Sequence, residues 1–160
     1  MPCFSIALEP FSSEWWRDAK RLGEQHFEEV DGGIEPRRPF KLDENVMAAL
    51  ERIGAVKIFV ARVSGKIVGY FTWQITRDVE SEGLLIAQQG AFYVEPGNHG
   101  VASALFDRSV TDLREMGVKC IFPHHRTQGR GSHLGRFFER RGAKKIQETY
   151  FLWIGNEQHA

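Results

Sequence analysis

Cysteine is nearly missing from this 160-residue chain, and the two that occur, Cys3 and Cys120, cannot build a disulfide framework. That excludes the class of small secreted domains stapled by bridges and points to a reducing compartment. Net charge is missing as well. The 21 basic and 21 acidic residues cancel, so no overall field gathers nucleic acid or an anionic membrane surface, and any anion site has to be local. Long apolar runs are also absent. The stretch 58–63 is far short of the ~20 residues that cross a bilayer and is broken by Arg62, so no membrane association is expected. The opening MPCFSIALEPFSS has neither the basic flank nor the apolar stretch of a secretion signal, and the expected location is the cytoplasm.

What is present is a globular composition, 42% hydrophobic and 26% charged, with 12 Phe and 4 Trp, enough to fill a core or line a cleft in a single domain spanning residues 1–160. Residues 3–8 read as a strand, and Ser12 and Ser13 as the cap of a helix running from about Glu14 to Glu28. Asp43 caps a second helix, which Gly54 ends; its Val46, Met47, Leu50 and Ile53 share one face and predict burial there. VKIFVARV and KIVGYFTWQI, separated by Ser64 and Gly65, predict a hairpin, and LLIAQQGAFYV predicts a central strand after a polar connection over 77–83.

From Gly100 the pattern turns helical, with Val101, Leu105, Phe106, Val110, Leu113 and Met116 as the apolar stripe and Gly117 as the stop. VKCIF is then a short apolar strand in which Cys120 is expected to be a core residue. HLGRFFERR is a short helix, and KKIQETYFLWI a closing strand. The strand, crossover helix and strand around Gly100 imply a parallel pair, and the hairpins before it antiparallel neighbours. The predicted fold class is therefore mixed α/β, a mostly antiparallel central sheet with one parallel pair, flanked by helices.

The segment FYVEPGNHGVASALF joins the best strand to the best helix through a Pro-Gly turn and opens the helix with small residues. Small residues admit close approach to the backbone, and the amides of a first helical turn with the positive end of the helix dipole make an anion site suited to a pyrophosphate. Taken alone, such residues serve close packing of helix on sheet. Arg126, Arg130, Arg136, Arg140, Arg141, Lys144 and Lys145, clustered in the second half of a neutral chain, add side chains able to pair with phosphates.

With these motifs the chain resembles the GCN5-related N-acetyltransferase family over residues 3–154. The family's coenzyme A loop, Q or R, x, x, G, x, then G or A, corresponds to Gly97, Asn98, His99, Gly100, Val101 and Ala102, followed by the small residue Ser103; Gly97 departs from the pattern. The resemblance implies acetyl-CoA as cofactor, with Phe92, Tyr93 and Val94 on the strand that pairs with the pantetheine arm and a following strand that splays away. It also implies that Arg126 and Phe138 lie along the cofactor. HLGRFFERRGAKK is similar to the family's later motif but has Phe138 where a proton-donating tyrosine is common, and Gln88 stands where a basic glutamate often does. The wider look, HFEEV in the first helix, AQQGAFYV on the strand and HH after the next, is similar to acetyltransferases of tailed phages and prophages.

Transfer to an amine needs a base. His124 and His125, at the carboxyl end of the strand after the crossover helix, are candidates by position and by a titration range near neutrality, with solvent-facing loop residues as the plainer alternative. Glu28 and Glu29, with His26, end the first helix and offer a second base or a pull on a cationic amine, against the commoner role of a solvated helix face. Tyr150 on the closing strand is a candidate acid or a packed sheet residue. No metal site is expected, since no cysteine or carboxylate completes a usual zinc spacing around His124, His125 and His133. The acceptor is an amine on a small molecule or a protein. The neutral total charge argues against nucleic acid, and the aromatic closing segment makes a homodimer the default expectation. The competing reading is a coenzyme A binding module of the same fold without turnover.

Overall fold

The computed structural model describes residues 3–30, 40–126, 133–152 and 154. These fall into two compact units. One reaches Gly23 and takes in Asp43–Phe122, and the other takes in the described residues of Glu24–Leu42 and those from Pro123 onward.

The first unit is built on a five-stranded sheet whose spatial order follows the chain: β1 (Phe4–Leu8), β2 (Val56–Val63), β3 (Lys66–Asp78), β4 (Leu84–Val94) and β5 (Cys120–Phe122). Strands β1 to β4 run antiparallel to their neighbours, and β5 lies parallel to β4. The β2–β3 hairpin turns on Ser64 and Gly65, both at positive φ (48° and 80°). This is the backbone of a primed two-residue turn, whose twist matches that of the flanking strands.

Successive residues of a strand point to opposite faces, so the buried run Ile58, Phe59, Val60 and Ala61 shows that β2 is covered on both. The coverings are helical. Tyr70 of β3 meets Trp15 of α1 (Ser13–Val30) with ring centroids 6.5 Å apart, while its neighbour Phe71 meets Phe106 of α3 (Val101–Glu115) at 6.2 Å. The start of α1 and α3 therefore occupy opposite faces of the sheet. In α1 the serine hydroxyl of Ser12 accepts the Trp15 amide at 3.1 Å, and Trp15, Ala19 and Leu22 form the buried stripe at helical spacing. In α3 the stripe is Val101, Leu105, Phe106 and Leu113, ended by Gly117 at φ 89°.

Several elements differ from the sequence-based expectation. The closing strand is not formed: the described residues from Ala143 on have no ladder partner among the described strands, and Tyr150 and Leu152 are 86% and 81% exposed. Alternating β-formers are a strand only where a neighbour completes the backbone hydrogen bonds, a condition that sequence alternation alone does not contain. The second helix, α2 (Glu44–Arg52), forms as capped by Asp43, whose Oδ1 accepts the Val46 amide at 3.0 Å, but none of its residues is buried; Val46 and Ile53 are exposed. Cys120 is exposed as well, because β5 is three residues of sheet edge rather than a covered strand. Met116 stands exposed at the end of the α3 stripe. The first helix also extends two residues past the predicted end, and β3 continues through Asp78 into the predicted connection.

Candidate functional site

The candidate site of the first unit is assembled on the part of β4 that lies beyond its pairing with β5. Their parallel register covers Ile86↔Cys120, Ala87↔Ile121 and Gln88↔Phe122, and β4 then continues for six further residues to Val94. Just past the last paired residue, Gln88, β4 carries a β-bulge. On the other side of β4, Phe92 opposes Phe71 and Gln89 opposes Trp73, so Gly90 and Ala91 together face the single residue Thr72. The Thr72 hydroxyl accepts the Ala91 amide at 2.7 Å, and a Cβ on Gly90 would lie 2.6 Å from that oxygen.

The direction of the backbone past the bulge follows from one hydrogen bond. The Glu95 amide donates to the Val68 carbonyl at 2.8 Å, so Glu95 turns its polar groups toward β3. Antiparallel pairing alternates with period two, which turns Tyr93 and Ala91 the same way and aims the amides and carbonyls of Phe92 and Val94 at the edge away from β3. The side chains of Phe92 and Tyr93 are buried: Phe92 stacks on Phe71 at 4.2 Å, and Tyr93 lies 6.4 Å from Tyr70. Burial pushes the Tyr70 phenol well above its usual range, with the neighbouring Tyr93 adding to the effect.

Beyond Val94 the chain turns sharply. The Asn98 amide and its side-chain Nδ2 both donate to the Glu95 carbonyl, at 3.4 and 3.0 Å, which pins the turn. Gly97 and Gly100 sit at φ 88° and 82°, a left-handed backbone that glycine adopts without strain, and a Cβ at either would meet nothing within 4 Å. The turn thus presents bare backbone to open space. It leads into α3, whose first turn carries no acidic residue and buries Val101 while Ala102 and Ser103 stay half-buried. The carboxylate beside this loop is Glu95, and Arg21 of α1 meets it at 2.8 Å, offsetting its charge. A helix N-terminus, an acid-free first turn and two bare glycines fit an anionic group such as a pyrophosphate.

The chain is similar in structure to an aminoglycoside acetyltransferase from an uncultured soil metagenomic sample (TM-score 0.74, 13% identity, covering 96% of this chain and 99% of that one). It is similar also to a ribosomal-protein-alanine N-acetyltransferase from Brucella melitensis biovar Abortus (TM-score 0.73, 24% identity, 96% and 99%). A third is glucosamine-6-phosphate N-acetyltransferase from Arabidopsis thaliana (TM-score 0.66, 11% identity, 94% and 99%). The fold is that of the GCN5-related N-acetyltransferases. No family model and no curated protein matches the chain. The mixed sheet with its one parallel pair, expected from the sequence, is the sheet of this fold.

The other expected site residues lie in the second unit. His124 is exposed, one residue beyond Pro123. His125 is half-buried, with Nδ1 2.9 Å from the Arg126 carbonyl; a carbonyl only accepts, so Nδ1 carries a proton, and in the neutral ring the lone pair is on Nε2. That Nε2 is packed on Gly135 of α4 (Leu134–Glu139), where a Cβ would come within 2.8 Å of it. Arg126 is half-buried. Phe138 is buried against Phe137 at 5.4 Å in an edge-to-face contact, and Arg141 lies over the Phe137 ring at 3.9 Å. Glu28 is exposed, while Glu29 accepts from Gln25 Nε2 at 2.9 Å. Tyr150 stands in solvent, its hydroxyl 3.4 Å from Glu148 Oε2, rather than in a sheet. Arg130 lies outside the described residues.

Sequence reasoning missed Thr72, Gly90, Arg21 and Glu95. Only Gly90 carried a signal, since a glycine inside a strand marks a bulge or a close approach. A cleft of about 260 Å³ at the opposite edge of the sheet, lined by Glu9, Glu14, Trp15, Asp18 and Arg62, is a poor competitor. Among the described residues its one cation is already engaged, with Arg62 clasping both oxygens of Glu9 at 2.8 Å.

Proposed function

We propose that this chain is an acetyl-CoA-dependent N-acetyltransferase that passes an acetyl group directly to an amine, on a small molecule or a protein, held beside the cofactor. The observation that carries the reading is the continuous run from the β4 edge at Phe92 and Val94, beyond the pairing with β5, through the Gly97 and Gly100 turn into α3. Amides and carbonyls of Phe92 and Val94 suit the amide-bearing pantetheine arm, and the backbone from Gly97 to Ser103, including Asn98, His99, Val101 and Ala102, suits the pyrophosphate.

Acetyl coenzyme A supplies the acyl group as a thioester. The chain's part is to hold and orient it, to offer backbone donors near Phe92 to the developing oxyanion, and to take the amine's proton. His125 Nε2, with its lone pair, is one acceptor for that proton, and His124, Glu28 and Glu29 are the others. A thiol of pKa about 8.5 leaves without obligatory protonation, which accommodates Phe138 and leaves Tyr150 as an optional donor.

A second reading, cofactor binding without turnover, is favoured by Gln88 and Phe138, side chains that neither accept nor donate the proton catalysis requires. Calorimetric titration with acetyl coenzyme A and coenzyme A, on the wild type and on Gly100→Glu, tests both. Micromolar binding weakened at least about tenfold in the variant supports the site, and no binding by the wild type sinks it. Release of free thiol with a panel of amines, lowered by His124→Ala, His125→Ala or Glu28→Ala, then separates enzyme from binding module.

A further inference from the structure

We infer that Thr72, a residue of β3 with no place in the motifs of this fold, is a positioning residue that decides which backbone groups of β4 meet the cofactor. This rests on the acetyltransferase reading of the site. Strand parity decides which groups these are. Before the bulge the Leu85 carbonyl accepts the Lys119 amide at 2.9 Å, so Leu85 points toward β5, and with period two Ala87 and Gln89 follow. Continued without interruption, that alternation turns Ala91 and Tyr93 to the β5 side and buries the polar groups of Phe92 and Val94 against β3.

The bulge inverts the count. Gly90 and Ala91 both fall opposite Thr72, and from there on Phe92 and Val94 take the outer edge. What holds the inversion is a side chain. The Ala91 amide, displaced from its ladder position, finds its acceptor in the Thr72 hydroxyl at 2.7 Å, and Gly90 leaves the space that oxygen needs. Without the hydroxyl the amide is a half-buried donor seeking a new acceptor, and the bulge that keeps Phe92 and Val94 on the outer edge loses its anchor. A pantetheine arm then meets an edge that is no longer held in place, while the Gly97 to Ser103 turn keeps its own hydrogen bonds.

This division of labour makes the test specific. Thr72→Val keeps the shape and removes the hydroxyl, Thr72→Ser keeps the hydroxyl, and Gly90→Ala attacks the same bond from β4 if the valine variant folds poorly. Each is titrated with coenzyme A, which contains the pantetheine arm, and with adenosine 3′,5′-diphosphate, which lacks it, and amide exchange at Ala91 is followed in the ligand-free protein. Expected for Thr72→Val and Gly90→Ala are faster exchange at Ala91, coenzyme A binding weakened about tenfold and nucleotide binding within about twofold of wild type, with Thr72→Ser close to wild type throughout. Equal weakening of both ligands, or coenzyme A affinity unchanged in Thr72→Val, overturns the role and leaves the cofactor site standing. A wild type that binds neither ligand overturns the acetyltransferase reading itself and this role with it.

Discussion

Arg21 Nη1 lies 2.8 Å from Glu95 Oε1, joining α1 to the residue that follows β4 and precedes the Pro-Gly turn. The pair is largely in solvent, so it adds at most about 1 kcal/mol to stability. Its consequence is electrostatic, because an unbalanced Glu95 would oppose an anion on the adjacent loop. Arg21→Glu is expected to weaken coenzyme A binding about three- to tenfold at low salt and far less at high salt, with little change in melting temperature. A loss indifferent to salt would assign Arg21 a different part.

Gly69 marks a close approach of β3 to β4 and α3. A Cβ there would stand 2.9 Å from Val94 Cγ2, 3.0 Å from the Tyr93 carbonyl oxygen and 3.3 Å from Leu105 Cδ1. The carbonyl cannot swing aside, so Gly69→Ala is expected to cost about 1–3 kcal/mol in urea denaturation. The double variant with Val94→Ala should recover only part of that loss.

The Tyr70 phenol, raised by burial and by Tyr93, stays protonated in the fold at pH values where the unfolded chain ionises. Below pH about 10 both states hold the proton and stability is indifferent to it; above, the unfolded state is favoured and stability falls by up to about 1.4 kcal/mol per pH unit. Denaturation curves between neutral and strongly alkaline pH should therefore be flatter for Tyr70→Phe than for the wild type. Parallel curves would show that the phenol ionises without unfolding.

His125 is expected to be the Nδ1–H tautomer, held by the Arg126 carbonyl. Nitrogen-15 spectra of the imidazole read this directly, and a dominant Nε2–H form would contradict it. Gly135→Ala, which brings a methyl group within 2.8–3.2 Å of the ring, should displace the imidazole and lower activity if Nε2 takes the proton from the amine.

Much of the first unit was legible because its rules are local. Ser64 and Gly65 fix a hairpin, Asp43 and Gly54 bracket a helix, and the stripe from Val101 to Leu113 dictates which side of α3 is buried. The glycine loop could be read for the same reason, since its chemistry is backbone geometry encoded by residues without side chains. Where burial depends on a partner distant in sequence the reading failed. Val46 and Ile53 of α2 form a proper apolar face that is left exposed, and Tyr150 and Leu152 alternate like a strand without a ladder. Thr72 was illegible because its role exists only once the β3–β4 register is set, and register is a property of two strands together.

The sheet order carries a consequence for synthesis. Because the five strands lie side by side in the order in which they are made, each β-strand after the first meets its neighbour already exposed from the ribosome. β2, β3 and β4 can zip as a meander while α3 and β5 are still being translated. The β4 edge is thus the growing front of the nascent sheet, and among the described residues three of β5 pair with it, before the stretch proposed to receive the cofactor. A front that is capped so briefly is exposed to the wrong strand, so stalling translation just after Val94 should yield the most aggregation-prone fragment of this chain.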